Sequence, residues 1–196
     1  MNHRDDLLEG AKKCLVEKGY AHTTARDIAA ASGAHLASIG YHYGSKDALM
    51  HAAVIAATSE WGDTVAEALE SVEEPDPQTR LAALLERMRA ILPEDRDLLL
   101  ASVQAYAEAQ FSPDLRSALG AAYQEAHRDF AALLDPGSEG TPEGLALGGA
   151  AYALFSGIIL QSLIDPDALP GTEALMAALR RLTGAPEPGA QEGPEG

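Results

Sequence analysis

Few side chains in this sequence have the types and spacing that catalysis or metal binding requires. Cys14 is the only cysteine, and a thiol becomes a nucleophile or redox sensor when nearby positive charge lowers its pKa. Cys14 falls on the apolar stripe of the first predicted helix, so we expect it to be structural. His35 and His42 could pair on a metal, but no further ligands follow at site-like spacing. We therefore expect no metal site and no cofactor.

Enzymatic chemistry of other kinds finds equally little support. The chain has no paired catalytic carboxylates, no nucleophile motif and no glycine-rich phosphate loop. A small helical enzyme is therefore the least favoured of the functions considered. We expect instead that the protein works by binding other molecules.

Charge is divided unevenly along the chain. The net charge is −16, from 14 basic and 30 acidic residues. Residues 1–55 carry six bases and six acids, so the remaining 8 bases and 24 acids account for the whole excess. A neutral N-terminal unit can approach phosphate groups while an acidic body stays clear of them, although an acidic surface also simply keeps a protein soluble. The division permits nucleic-acid binding without demonstrating it.

The elements that position these residues are predicted to be helices throughout. Aromatic residues make up only 5% of the chain, alanine is abundant, and no segment shows the alternation typical of a strand. Apolar residues at helical spacing, separated by glycine and proline breaks, predict nine helices. Their approximate ranges are 5–18, 24–32, 35–41, 46–72, 78–92, 96–110, 113–134, 142–164 and 172–182. The predicted fold class is all-α.

The second and third helices predict a helix-turn-helix. They are short, they are joined by a glycine-containing turn, and a packing helix precedes them. Thr24 and Asp27 form a capping pattern at the start of the first of the two. The second, at residues 35–41, is slim enough to enter the major groove of DNA. Spacing alone is a weak signal, because many helical hairpins share it.

The residues of this region resemble the tetracycline-repressor (TetR) family. The resemblance rests on Lys18-Gly19-Tyr20, on TTARDIAAASG at residues 23–33 and on IGYHYGSKDAL at residues 39–49, within a match over about residues 7–55. It implies a dimeric repressor with an N-terminal three-helix DNA-binding domain. It also implies a C-terminal helical bundle for ligand binding and dimerisation.

Carried over by position, the resemblance implies nine contacts to DNA. Contacts to phosphates are expected from Tyr41, His42 and Lys46. Contacts to the DNA backbone beside the first helix of the motif are expected from Thr23, Thr24 and Arg26. Contacts to the base edges are expected from His35, Ala37 and Ser38. Hydroxyl, imidazole and ammonium groups donate to phosphate oxygens, and small side chains permit close contact in a groove. The alternative for Thr24 is that it serves only as a helix cap, and the alternative for Tyr41 and His42 is that they are ordinary surface residues.

Three positions depart from the family pattern. Gly40 stands where an aromatic residue is common, which weakens a helix by up to about 1 kcal/mol relative to alanine. His35 replaces a capping serine or threonine, and Ala48 replaces the acidic residue that would complete a capping box after Ser45. Gly40 therefore affects the stability of the helix at residues 35–41, whereas His35 and Ala48 affect how this helix and the following one begin.

The resemblance also implies an effector pocket among the later helices. Polar and aromatic side chains on otherwise apolar faces could line it, although core packing is the alternative for each. The candidates are Trp61, Met88, Gln104, Tyr106, Gln110, Tyr123, His127 and Gln161. The apolar excess of this region favours a largely hydrophobic effector.

The predicted helix at residues 142–164 raises two questions: whether it spans a membrane, and whether it forms a dimer interface. Its uncharged stretch, residues 144–164, is long enough to span a membrane, but its polar residues and missing basic anchors favour a buried helix, hydrophobic nearly all round. Together with Leu175, Leu179 and Leu182, its small and apolar residues predict a four-helix homodimer interface. The alternative is a monomer whose last two helices complete its own core.

These observations together predict three segments. They are a helix-turn-helix domain at residues 1–47, an effector-binding and dimerisation domain at 48–184, and a disordered tail at 185–196. The sequence begins without a signal-peptide pattern, so a cytoplasmic protein outside the membrane is expected. We expect a repressor that releases palindromic operator DNA when it binds a small molecule. The alternative is an acidic helical interaction protein without DNA binding.

Overall fold

The computed structural model describes residues 3–67 and 76–184, which form α-helices, one turn of 3-10 helix and no strand. The helices are α1 (His3–Lys18), α2 (Ala25–Ser32), α3 (Leu36–Tyr43), α4 (Lys46–Ala66), α5 (Pro77–Ile91), α6 (Arg96–Glu108), α7 (Pro113–Leu134), α8 (Pro142–Ile164) and α9 (Thr172–Thr183). The all-α prediction is confirmed. The predicted end of α4 near residue 72 and the predicted tail at residues 185–196 lie outside the described residues.

Three of the later helices begin with the same local device. A polar residue caps each helix and a proline follows it, as in Asp76-Pro77, Ser112-Pro113 and Thr141-Pro142. The capping oxygens accept from backbone N–H groups three residues later, at 2.9, 3.3 and 3.0 Å respectively. The proline has no N–H to leave unsatisfied and its φ already suits a helix. Local sequence alone therefore sets where these helices start.

Buried apolar side chains form two clusters. The first joins α1, α2 and α3 to α4, α6 and the start of α7, and it contains Leu7 and Leu49. The second joins α5 and α6 to α7, α8 and α9, and it contains Leu85 and Phe155. The first half of α4 belongs to the first cluster, while Trp61 in its second half packs against the second. The boundary predicted at residues 47 and 48 therefore falls inside a continuous helix, and it stays a prediction.

Helices α7 and α8 pack closely together, and at Gly148 their backbones are in direct contact. A Cβ atom on Gly148 would lie 1.9 Å from the carbonyl oxygen of His127 and 2.9 Å from the nitrogen of Ala131. No side chain fits in that space. The missing side chain at this position lets the two helix backbones touch.

The expectation that α8 is a buried helix is wrong for the described residues of the single chain, although the helix is hydrophobic on most sides. Its buried residues, among them Gly148, Ala151 and Phe155, lie on one face, whereas Leu160 and Ile164 are exposed. By length and composition α8 is the one helix of the described residues that could cross a membrane, which is weak evidence on its own. Only 22% of its most apolar window is buried. The uncovered face is mostly apolar from Ala146 to Ile164, with the exposed Glu143 at its start.

Candidate functional site

The α3 helix is held on the surface by a small number of buried contacts. Its inner residue Ile39 and Ile28 of α2 both belong to the first apolar cluster. The turn between the two helices passes through Gly33, whose φ of +67° is the left-handed conformation that favours glycine. The Tyr43 hydroxyl donates to the Arg4 carbonyl oxygen at 2.9 Å and so ties the end of α3 to α1.

The outer face of α3 carries the residues predicted to read bases. His35 and Ala37 are exposed and Ser38 is half-buried, so all three lie on the open side of the helix or at its start. His35 makes no side-chain capping hydrogen bond, which leaves the first amides of α3 without that partner. Gly40 has no atom within 4 Å of the place where a Cβ would be, so its departure from the family pattern leaves open surface.

The aromatic pair at the end of α3 differs in exposure. Tyr41 is 86% exposed, and its ring meets the His42 ring edge-on with centroids 4.8 Å apart. His42 is half-buried. Such exposure of a tyrosine places its hydroxyl where a phosphate oxygen could accept from it.

Lys46 begins α4 immediately beside this face. Its ammonium lies 2.9 Å from the Asp47 carboxylate and 5.9 Å from the centre of the Tyr20 ring. Ser45 caps the helix by accepting from the Ala48 backbone N–H at 3.0 Å. The lysine is therefore positioned near α3, but Asp47 partly neutralises it.

The residues around the start of α2 offer fewer free side-chain groups for DNA contact than the sequence predicted. Thr24 and Arg26 are exposed, but the Thr24 hydroxyl donates to Asp27 at 2.6 Å and accepts from the Asp27 backbone N–H at 3.2 Å. Both halves of the predicted capping box are present. Thr23 is only 3% exposed, and its hydroxyl donates to the carbonyl oxygens of Gly19 at 2.8 Å and Cys14 at 3.2 Å. The expectation that Thr23 touches DNA is wrong, because the loop after α1 turns its side chain inward.

Asp27 also links α2 to α1 through an ion pair with Lys18. The Lys18 ammonium, together with the hydrogen bonds that the Thr24 hydroxyl and backbone N–H donate to the Asp27 carboxylate, holds the pKa of Asp27 far below its usual range. A carboxylate with a lowered pKa adds stability above its unfolded-state pKa of about 3.9, and this contribution disappears as the pH falls through the folded-state pKa.

We expect Asp27→Asn to lower the thermal midpoint at pH 7 and to have progressively less effect as the pH falls from about 4 towards 2. Melting curves of both proteins across this range measure the difference. Glu9→Gln, which removes another acid of the N-terminal unit, is the control for general charge effects. A difference that stays constant with pH would show that Asp27 is not ionised in the pair.

Deeper in the molecule, α6, α7 and α8 bring an aromatic cluster together. The ring of Tyr152 lies 5.3 Å from that of Tyr123, 5.5 Å from His127 and 6.1 Å from Phe130. The hydroxyls of Tyr106 and Tyr152 are 3.4 Å apart. Burial raises the pKa of Tyr123 to about 12 and also raises that of Tyr106. We name these five residues the aromatic cluster.

Of the eight predicted effector residues, only Tyr106, Tyr123 and His127 belong to this cluster. Met88 is fully buried in the second apolar cluster, Gln110 and Gln161 are exposed, and Trp61 lines a separate cleft beside α1. Their helices turn these side chains in different directions, so they do not share one cavity. The cluster instead includes Tyr152 and Phe130, which lie on the facing sides of α8 and α7.

Gln104 has a different role from the predicted one. Its side-chain oxygen accepts from the Tyr20 backbone N–H at 3.2 Å, and this bond joins α6 to the loop after α1. The same oxygen lies 2.9 Å from the place where a Cβ on Gly19 would be. Tyr20 and Gln104 are 84 positions apart, so no local sequence pattern indicates the link. It connects the bundle directly to the helix-turn-helix.

Two families of known proteins match the chain. Residues 7–53 match the family described as "Bacterial regulatory proteins, tetR family", and residues 76–185 match "Tetracyclin repressor-like, C-terminal domain". The HTH-type transcriptional repressor AcnR of Corynebacterium efficiens is 29% identical over 119 residues, which cover 60% of this chain and 56% of that protein. AcnR of Corynebacterium glutamicum is 40% identical over 48 residues, covering 24% and 26% respectively. The match thus spans little more than half the length of the first relative.

Solved structures share the whole architecture. The multidrug binding protein EbrR, complexed with imidazole, has a TM-score of 0.70 at 26% identity, over 95% of this chain and 92% of that one. A member of the TetR family from Streptomyces coelicolor A3 has a TM-score of 0.67 at 26% identity, over 93% and 98%. The similarity extends over the helix-turn-helix and the helical bundle together.

Proposed function

From the premise that this chain belongs to the TetR family of bacterial regulatory proteins, we propose that it is a cytoplasmic homodimeric repressor. Its two α3 helices read a palindromic operator, and a small molecule bound in each bundle releases the DNA. The observation that carries the proposal is the surface around α3. Residues 28–46 contain no Asp or Glu although the chain carries a net charge of −16, so this part of the chain adds no negative charge to repel phosphate.

The proposed reading contacts follow the exposure of the side chains. His35, Ala37 and Ser38 face the base edges, and the methyl group of Ala37 can meet a thymine methyl. The phosphate contacts come from Tyr41, His42 and Lys46, with Arg26 and the rim of α2 near Thr24 on the neighbouring backbone. The base contacts determine the sequence preference and the phosphate contacts determine the salt dependence, so the two properties can be tested separately.

The proposed dimer uses the uncovered face of α8 together with α9. Ala150, Ala153 and Leu160 of α8 are exposed, and Leu182 of α9 is 83% exposed. Leu175 and Leu179, the other two leucines predicted at the interface, are partly buried against the second apolar cluster. Pairing this surface with its copy forms a four-helix contact and sets two α3 helices at the spacing of successive major grooves.

The proposed effector site is the aromatic cluster. Its tyrosine hydroxyls and ring faces suit a largely hydrophobic molecule with one or two polar groups. Two structural routes lead from it to α3. One is α4, which starts beside α3 and packs in both apolar clusters, and the other is the Gln104 bond to Tyr20. Binding that shifts α6 would alter both, so the effector favours a conformer with wrongly spaced α3 helices.

The test of the function is selection from a randomised DNA pool at two salt concentrations, followed by sequencing of the retained DNA. We expect a palindrome whose half-sites lie about one helical turn apart, retained far better at low salt. No enriched motif with a folded protein, or retention that hardly depends on salt, would favour the acidic interaction protein instead.

Lys46→Ala is expected to weaken binding to all retained sequences alike and to reduce the slope of log K against log salt by about one. The reason is that its ammonium releases one counterion when it meets a phosphate, and Asp47 lowers this contribution without removing it. Lys13→Ala is the matched control, since Lys13 lies on α1 and pairs with Glu17 at 3.8 Å. An equal slope in Lys46→Ala and wild type would remove Lys46 from the phosphate contacts.

A further inference from the structure

A cleft of about 500 Å³ opens between α1, α4 and the turn that precedes α6. No member of the aromatic cluster and no residue of α3 lines it. Its volume falls within the roughly 300–1,000 Å³ that small-molecule sites occupy. It is therefore a second candidate site, separate from the proposed effector and DNA sites.

The cleft has an apolar surface that crosses from one helix to the other. Val16 of α1 is 40% exposed there, and Ala57 and Trp61 of α4 and Leu98 of α6 complete the surface. The half-buried indole of Trp61 offers an aromatic wall.

The charged side chains around the cleft are predominantly acidic. Two ammonium groups face four carboxylates, which belong to Lys12, Lys13, Glu9, Glu17, Glu60 and Asp95. Lys12 is held by Glu60 at 2.6 Å and by Glu9 at 2.9 Å, and Lys13 lies 3.8 Å from Glu17. Asp95 starts α6 but makes no side-chain capping hydrogen bond. The lining thus has an excess of two negative charges, and Asp95 is the carboxylate that is not engaged by either lysine.

We propose that this cleft binds a small amphipathic cation, with its apolar body against Trp61 and its positive charge towards Asp95. The apolar body gains from burial against Trp61 and the positive charge gains from Asp95, whereas an anion of the same shape is repelled by the excess negative charge. Because one wall is α1 and the other is α4, such a ligand touches the helix-turn-helix and the bundle at once. The proposal concerns a site additional to the effector site and does not depend on it.

The experiment uses two probe ions that share a flat phenyl ring and carry opposite charges, phenyltrimethylammonium and benzenesulfonate. Trp61 is the only tryptophan, so intrinsic fluorescence of the full chain reports on the cleft wall. We expect saturable quenching by the cation, with a Kd about fivefold or more below that of the anion. Asp95→Asn keeps the size of the side chain while removing its charge, and it should raise the Kd of the cation about threefold.

Asp97→Asn is the matched control, because Asp97 is exposed in the first turn of the same helix and does not line the cleft. It should leave the Kd of the cation unchanged. Equal binding of the two ions, or equal effects of the two variants, would overturn the proposal. So would a loss of binding in Tyr123→Phe but not in Asp95→Asn, since the cation would then occupy the aromatic cluster. DNA selection with the same preparation tests the proposed function independently.

Discussion

Gly148→Ala is expected to lower the free energy of unfolding by about 3 kcal/mol or more. The added methyl group would lie 1.9 Å from the His127 carbonyl oxygen, which belongs to backbone and cannot rotate away. Helices α7 and α8 must then separate, and the contacts of the second apolar cluster loosen along both. For a chain of this size the thermal midpoint should fall by roughly 6–12 °C. Chemical and thermal denaturation at one fixed protein concentration measure the change.

The control for this variant is Gly120→Ala on α7. Nothing lies within 4 Å of a Cβ atom at Gly120, so alanine meets no obstacle there. Its higher helix propensity should stabilise the protein by up to about 1 kcal/mol. If the free energy of unfolding falls in Gly148→Ala and rises in Gly120→Ala, the loss in Gly148→Ala is due to the α7–α8 contact. If Gly148→Ala were as stable as wild type, that close contact would be absent in solution.

Leu160→Glu is expected to convert the proposed dimer to a monomer and to weaken binding to the palindromic site by about 100-fold or more. Leu160 is 49% exposed on α8, at the face that the proposal pairs with its own copy. The substitution brings two carboxylates towards each other across the two-fold axis and removes them from water. A monomer presents one α3 helix and loses the second half-site. Sedimentation and DNA titration measure the two effects.

Leu100→Glu is the matched control for the dimer. Leu100 is a leucine of similar exposure, 43%, but it lies on α6. The same change there should leave both the sedimentation mass and the DNA affinity close to wild type. A dimeric Leu160→Glu that binds the palindrome normally would place the interface elsewhere. Circular dichroism of both variants separates loss of the dimer from loss of the fold.

Much of the secondary structure was predictable because its signals are local. The Thr24–Asp27 capping box joins residues three apart, and the polar residue–proline pairs act on the first turn that follows them. Apolar spacing at the helical period adds the buried face of each helix. These interactions do not depend on which other helix is nearby. The helix-turn-helix and its family resemblance follow from them, together with the residue types at residues 23–49.

Which side chains meet across the bundle was predicted less well. Tyr106, Tyr123 and His127 do lie together, but Trp61 turns towards α1 and Gln104 reaches the Tyr20 backbone. Periodicity shows that a face is inward without showing which other helix it contacts. The structure likewise leaves one face of α8 open where the sequence predicted a buried helix.

The sequence by itself determined that this chain is all-helical over the described residues, where several of its helices begin, and which family it resembles, because caps, breaks and spacing act within a few residues. Only the tertiary structure decided that Thr23 is buried, that Gln104 joins the bundle to the helix-turn-helix, and that α7 meets α8 at Gly148. Those outcomes depend on helix packing between residues far apart in the chain. At such contacts a displacement of a few tenths of an ångström decides whether an atom fits, and no pattern of neighbouring residues encodes that distance.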